Sequence, residues 1–383
     1  MVSPDFIDTH QHSLDIADGR LAAQDGTTTQ LELEFGMRGM TVVLLLTAIL
    51  VVDQQPSASD DDSATNDIVD DVMSHLGFGT QHRGALEAGE ILFSGHPELE
   101  PLPQSVAVAG AMMLIGRPPG DLIDAYLSDE TLRSHADIRA AGSLPDAGGD
   151  VGELAGLVFG EDEQGEVRRL LEAGAGSELN LAPDEIELIS AIAHGDSASA
   201  DAVTTYKDIL WARLQAYRAE GLDGIPPYAR QSGELASPAE ELRASLETTA
   251  LIEKYSPGLH AALLDYPGSM EEIDESRLLW MKKSVAKRPA VVLAHRMLVV
   301  DGDIAVVAER EFYVGHTYNS MLTIAAVVPH EGGSLIFATN RTFTEKVRGA
   351  KIRKTVGRKR VAQAFARRFD EIRTALDETE PAP

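Results

Sequence analysis

The stretch "EREFYVGHTYNS", Glu309 to Ser320, holds an arginine, a histidine, two tyrosines and an asparagine within what otherwise reads as a strand. Period-two alternation places Ile304, Val306, Ala308, Arg310, Phe312, Val314, His316 and Tyr318 on one face, and Glu309, Glu311, Tyr313 and Asn319 on the other. Arg310, His316 and Tyr318 thus share a face with aliphatic residues, where a charged guanidinium must find a partner. Three chemistries fit. Arg310 can hold an anionic or polar head group, with His316 and Tyr318 as hydrogen-bonding partners and Phe312 on the apolar wall. His316 can act as general base and Tyr318 as acid in a hydrolytic or isomerising step. In the third, Arg310 meets an internal carboxylate and His316 is a satisfied structural histidine. A bulge near Gly315 would swap the faces beyond it. His295 and Arg296 on the preceding strand lie within reach of this group, as do Asn340 and Arg341 on the last one, so His295 and Asn340 join the candidate ligand-binding residues.

Other chemistry is thinly represented. The chain has no cysteine, which removes disulfides, thiolate zinc sites and thiol catalysis. His75, His82, His96, His135, His194, His260 and His330 show no H-x-x-x-H or H-E-x-x-H spacing, so no metal is expected. Nucleotide-loop, dinucleotide and G-x-S-x-G signatures are missing as well, and no cofactor is expected. "GLDGIPPYAR", Gly221 to Arg230, is a turn fixed by two prolines from which Tyr228 and Arg230 project; it either closes one end of a cavity or simply terminates a helix.

The elements that must position these residues occupy a 383-residue chain with 44% hydrophobic content, enough for a sizeable core. Net charge is −28, which argues against nucleic acid as a partner. The charge is uneven: Lys346 to Arg373 carries eleven basic residues against Asp370 and Glu371. Lys346, Arg348, Lys351, Arg353, Lys354, Arg358, Lys359 and Arg360 form either a patch facing an anionic membrane surface or a segment docked on the chain's own acidic surface.

Residues 1–36 show no sustained periodicity and read as disordered or as a mis-called start. "MRGMTVVLLLTAILVV", Met37 to Val52, has one arginine, the twelve uncharged residues Thr41 to Val52 and a polar exit, the layout of a secretory signal or short anchor over 37–53. It implies an exported, periplasmic or membrane-anchored protein, or a cytoplasmic one if the segment is a buried strand. An acidic linker over 54–72 follows.

The body spans 73–377, with a tail at 378–383. A helix is expected over Asp67 to Ala88, a loop over Gly89 to Pro103 and a buried strand over Ser105 to Gly116. Prolines then start a helix carrying Leu122, Ile123, Tyr126 and Leu127. Helical spacing recurs over Glu163 to Ala173, Pro183 to His194, the stripe Val203, Tyr206, Leu210, Leu214 and Tyr217, the Ser237-Pro238 and Ser256-Pro257 starts, and Ser269 to Lys287, a helical insertion over about 145–287. The last hundred residues alternate as strands: Ala290 to Val300, Ile304 to Val328 with a break near Gly315 or Asn319, and Ser334 to Thr344. An amphipathic helix with Val361, Phe365, Phe369, Ile372 and Leu376 on one side closes the chain.

A buried strand running into "RPPGDLIDAYLSDE", together with a closing antiparallel meander and long helix, resembles START-like, polyketide-cyclase-like helix-grip domains. "YRAEGLDGIPPYAR" through "FYVGHTYNS" also resembles an exported bacterial family of unknown function. The first resemblance implies an α+β fold in which an antiparallel sheet grips the C-terminal helix, here with an additional helical layer, around a tunnel for an apolar ligand. The expected function is binding of a lipid or other apolar small molecule in the cell envelope, without catalysis. The alternatives are a hydrolase or isomerase using His316, Tyr318 and Arg310, or a membrane-anchored structural or adaptor protein.

Overall fold

A computed structural model describes residues 20–21, 61–94, 106–127, 137–176, 178–247, 249–344, 363, 366–367 and 369–374. The export-like segment 37–53 and the basic run Lys346 to Arg360 lie outside them.

The strands are β1 (Arg20–Leu21), β2 (Ile91–Ser94), β3 (Val106–Ile115), β4 (Ile138–Leu144), the short pair β5 (Tyr228–Ala229) and β6 (Leu235–Ala236), β7 (Glu275–Val285), β8 (Arg288–Asp301), β9 (Ile304–Val314), β10 (Ser320–His330) and β11 (Gly333–Phe343). All but β5 and β6 form one antiparallel sheet in the order β1-β2-β3-β11-β10-β9-β8-β7-β4. The helices are α1 (Asp61–His75), α2 (Arg83–Glu87), α3 (Pro119–Leu127), α4 (Gln164–Leu171), α5 (Pro183–Ser190), α6 (Ala198–Glu220), α7 (Pro238–Glu247), α8 (Ala250–Tyr255) and α9 (Pro257–Asp265).

The fold is therefore α+β. One face of the sheet, with Leu278, Leu293, Met297, Val306, Leu322, Ile324 and Phe337, packs on α1 and on the helices between β4 and β7 in one large core. The opposite face, with Ala111, Met113, Ile336 and Ala338, packs on Leu122 of α3 and on Phe369, with Ile372 beside them. The stripe on α6 buries Tyr206, Leu210, Leu214 and Tyr217, as its spacing requires. Gly221 ends that helix at φ +56, and a Cβ there would lie 1.7 Å from the Tyr266 carbonyl oxygen, so only glycine lets Tyr266 approach Tyr217. Ser237 caps α7 by accepting the Glu240 amide at 3.2 Å.

Several expectations are corrected. Ser269 to Lys287 is not a helix: β7 occupies it and pairs with β8 over eleven residue pairs. Leu278, Leu279, Trp280 and Met281 are buried on both faces, and such a run has no period to separate strand from helix. The turn that follows also lacks the usual signal, because Ala286 and Lys287 take φ +51 and +66 without an Asn or Gly. Helices between β4 and β7 consequently end at Asp265. Residues read as loop contribute β2, and β4 occupies residues for which no strand is expected; both lie toward the sheet edges. The segment read as linker enters α1 at Asp61, and the helix expected over Asp67 to Ala88 breaks after His75. The expected break in the long strand falls at residues 315–319.

Candidate ligand site

The register of β9 decides where the candidate residues go. Leu293 pairs with Tyr313 and Ala294 with Glu311, so Phe312 is an extra residue on β9. Phe312 and Tyr313 both join the helical-layer core, and beyond them the alternation is reversed: Val314 and Tyr318 fall in the cluster on the opposite face. The single face expected for Arg310, His316 and Tyr318 is thereby split, by a bulge three residues ahead of Gly315.

Arg310, Phe312 and His295 do come together. Arg310 is fully buried, its Nη1 donates to the Leu263 carbonyl at 2.6 Å, and its guanidinium lies 5.2 Å from the Tyr217 ring centre. The partner is the last turn of α9, the negative end of a helix dipole, and neither a carboxylate nor a ligand head group is needed to account for its burial. Tyr217 is stacked between Phe312 at 3.9 Å and Tyr266 at 5.1 Å. The Tyr217 hydroxyl lies 2.8 Å from His295 Nδ1, and Ser276 Oγ lies 2.8 Å from His295 Nε2. Burial and the neighbouring Arg310 push the His295 pKa well below its ordinary value. The imidazole is neutral, hydroxyl-bonded on both sides and beside a cation, an arrangement that resists taking up a proton.

The other three candidates stand elsewhere. On the opposite face the Tyr318 hydroxyl donates to Glu311 Oε2 at 2.5 Å, while Lys283 reaches Glu311 Oε1 at 2.5 Å. His316 contacts Thr317 Oγ1 at 2.7 Å and the Pro289 carbonyl at 3.1 Å. Asn340 donates to Thr323 Oγ1 at 2.9 Å and accepts from Thr342.

The proline turn and the "FYVGHTYNS" stretch meet in a polar clamp. Arg230 Nη2 donates to Asn319 Oδ1 at 2.9 Å, Asn319 and Ser320 donate to Glu241 at 2.7 and 2.8 Å, and Asn180 donates to the Val314 and Tyr318 carbonyls at 2.8 Å each. Beneath it, buried Arg213 and Glu185 pair at 2.6 Å, with the guanidinium 4.6 Å from the Tyr313 ring centre. These bonds fasten the β9–β10 connection to the helical layer.

A concave site lies instead between α1, α8 and the same sheet face. Val299, Val306, Ile324, Ala326, Val328 and Phe337 form its apolar wall on the sheet side, and Ile68, Leu251 and Ile252 face them from the helices. Its polar groups include Arg341, His75, Thr339, Thr249 and Asp301. Arg341 is fully buried, and burial lowers its pKa to about 10. His75 is held neutral, its pKa lowered to about 4 by burial and by Arg341. On β11 alternate residues Leu335, Phe337, Thr339 and Arg341 face the helical layer, a signal in the sequence that runs from apolar to cationic. Among the described residues no cluster of three or more His, Asp or Glu side chains could hold a metal ion. Neither a protein-family model nor a curated protein matches the chain.

Proposed function

We propose that the chain binds a lipid or other apolar small molecule in this pocket, as a carrier or sensor of the cell envelope without catalysis. The observation that carries the reading is the pocket itself, an apolar recess in the sheet's largest core with few polar groups and a buried cation on its wall. The layout of Met37 to Val52 supports the envelope setting, and the basic run Lys346 to Arg360 fits an anionic membrane surface. Phe369 and Ile372 packed on the sheet support a helix-grip arrangement, although a helix-grip tunnel would lie on their face and this pocket lies on the other. A hydrolytic reading would turn to Ser276 and His295, but Arg310 beside His295 opposes the imidazolium that a general base must carry.

The test is titration of the full chain with the neutral fluorophore N-phenylnaphthylamine. Saturable binding is expected, and Ala326→Trp, which fills the pocket from β10, should weaken it at least about tenfold while thermal unfolding stays cooperative. Absence of binding, or equal binding by the variant, contradicts the proposal.

A further inference from the structure

The sheet register orders the pocket wall from end to end. Asp301 pairs with Ile304 at the exposed β8–β9 hairpin; then comes the row Val299, Val306, Ala326 and Phe337, then Ala308, Ile324 and Thr339, and last the row Arg310, Leu322 and Arg341. Six residues along β10, from Val328 to Leu322, separate the first row from the last, roughly 20 Å. Asp301 is exposed and Arg341 fully buried, so the pocket leads from an acidic, solvent-facing rim to a cationic inner end.

Resting on the pocket reading, we propose that the ligand is an amphiphile with a single anionic head, a long-chain carboxylate, bound head-inward at Arg341 with its chain extending toward Asp301. The Asp301 carboxylate at the rim disfavours an anion that stops at the mouth, whereas the Arg341 guanidinium at the inner end supplies the positive charge that suits one carboxylate. Thr339 lies on the same strand and His75 across from it, both on the pocket wall, as further hydrogen-bonding groups for the head. The aliphatic wall between the ends offers the chain no polar competitor from Val299, Val306, Ile324, Ala326 or Phe337. A doubly charged phosphate would call for a second cation. The buried one in the same row, Arg310, lies two strands and about 10 Å away with Nη1 committed to the Leu263 carbonyl.

The experiment compares palmitate, methyl palmitate and hexadecanol as competitors of N-phenylnaphthylamine on the full chain at pH 8. Palmitate is expected to bind at least about tenfold tighter than either neutral analogue, and Arg341→Met should bring the three affinities together. The wild-type comparison needs no variant, so it holds even if Arg341→Met fails to fold. If the neutral analogues compete as well as palmitate, the pocket stands and the carboxylate inference is overturned. If palmitate is preferred but Arg341→Met keeps that preference, the assignment to Arg341 is overturned. If none of the three competes and the fluorophore itself does not bind, the pocket reading falls first.

Discussion

Arg310 and Arg341 stand in one transverse row of the sheet, each the cross-strand partner of Leu322, and both are fully buried on the helical-layer face. Their surroundings differ. Arg310 is spent on a helix C-terminus and an aromatic stack, whereas Arg341 borders the pocket.

Arg310 is therefore expected to be structural. Arg310→Met should lower stability by about 1–3 kcal/mol, and Arg310→Ala by about 3–5 kcal/mol because it also opens a cavity. Fluorophore affinity should stay within about twofold in the methionine variant, as measured by titration beside chemical denaturation. A large loss of affinity with little loss of stability would return Arg310 to the ligand site.

Tyr318 and His316 are expected to leave ligand binding alone. Tyr318→Phe removes one of two partners of the fully buried Glu311 and should destabilise by about 1–3 kcal/mol. His316→Gln should change fluorophore affinity less than about twofold, since its ring contacts Thr317 and the Pro289 carbonyl.

The β7–β8 turn carries removable strain. Ala286 and Lys287 both sit at positive φ, where a side chain costs on the order of 1 kcal/mol. Ala286→Asn with Lys287→Gly should raise the melting temperature, and a lowered one would show that the turn has another geometry.

His75 sets a pH dependence. Its pKa is near 6.5 unfolded and about 4 folded, so between these values the unfolded chain binds more protons and stability falls as pH falls. Its contribution is complete above pH 6.5, lost on the way down to about pH 4, and flat below. With the ring partly exposed, the loss should amount to about 1–2 kcal/mol. Subtracting the stability curve of His75→Gln from that of the wild type should isolate this slope; parallel curves would place His75 elsewhere.

The sequence made the meander from β8 to β11 legible because Asp301-Gly302-Asp303 and Glu331-Gly332-Gly333 mark its turns and strand alternation is strict around them. It hid β7, whose apolar run has no period and whose turn uses Ala286 and Lys287. For the site, pairing His295 with Arg310 needed only adjacency of strands and was visible. The bulge at Phe312 was not, since it depends on how β8 pairs, and one inserted residue exchanges faces for Val314 and Tyr318. The pocket was hidden for a different reason: it forms where α1 and α8, far apart in the chain, meet over β8 to β11.

Ligand binding in the pocket is tested most directly by native mass spectrometry of the full chain as purified, followed by solvent extraction, beside the Ala326→Trp variant. An added mass is expected on the wild type, released by extraction as an apolar compound and missing from the variant. An apo mass that stays unchanged after incubation with a lipid extract, or an adduct retained equally by Ala326→Trp, would contradict it.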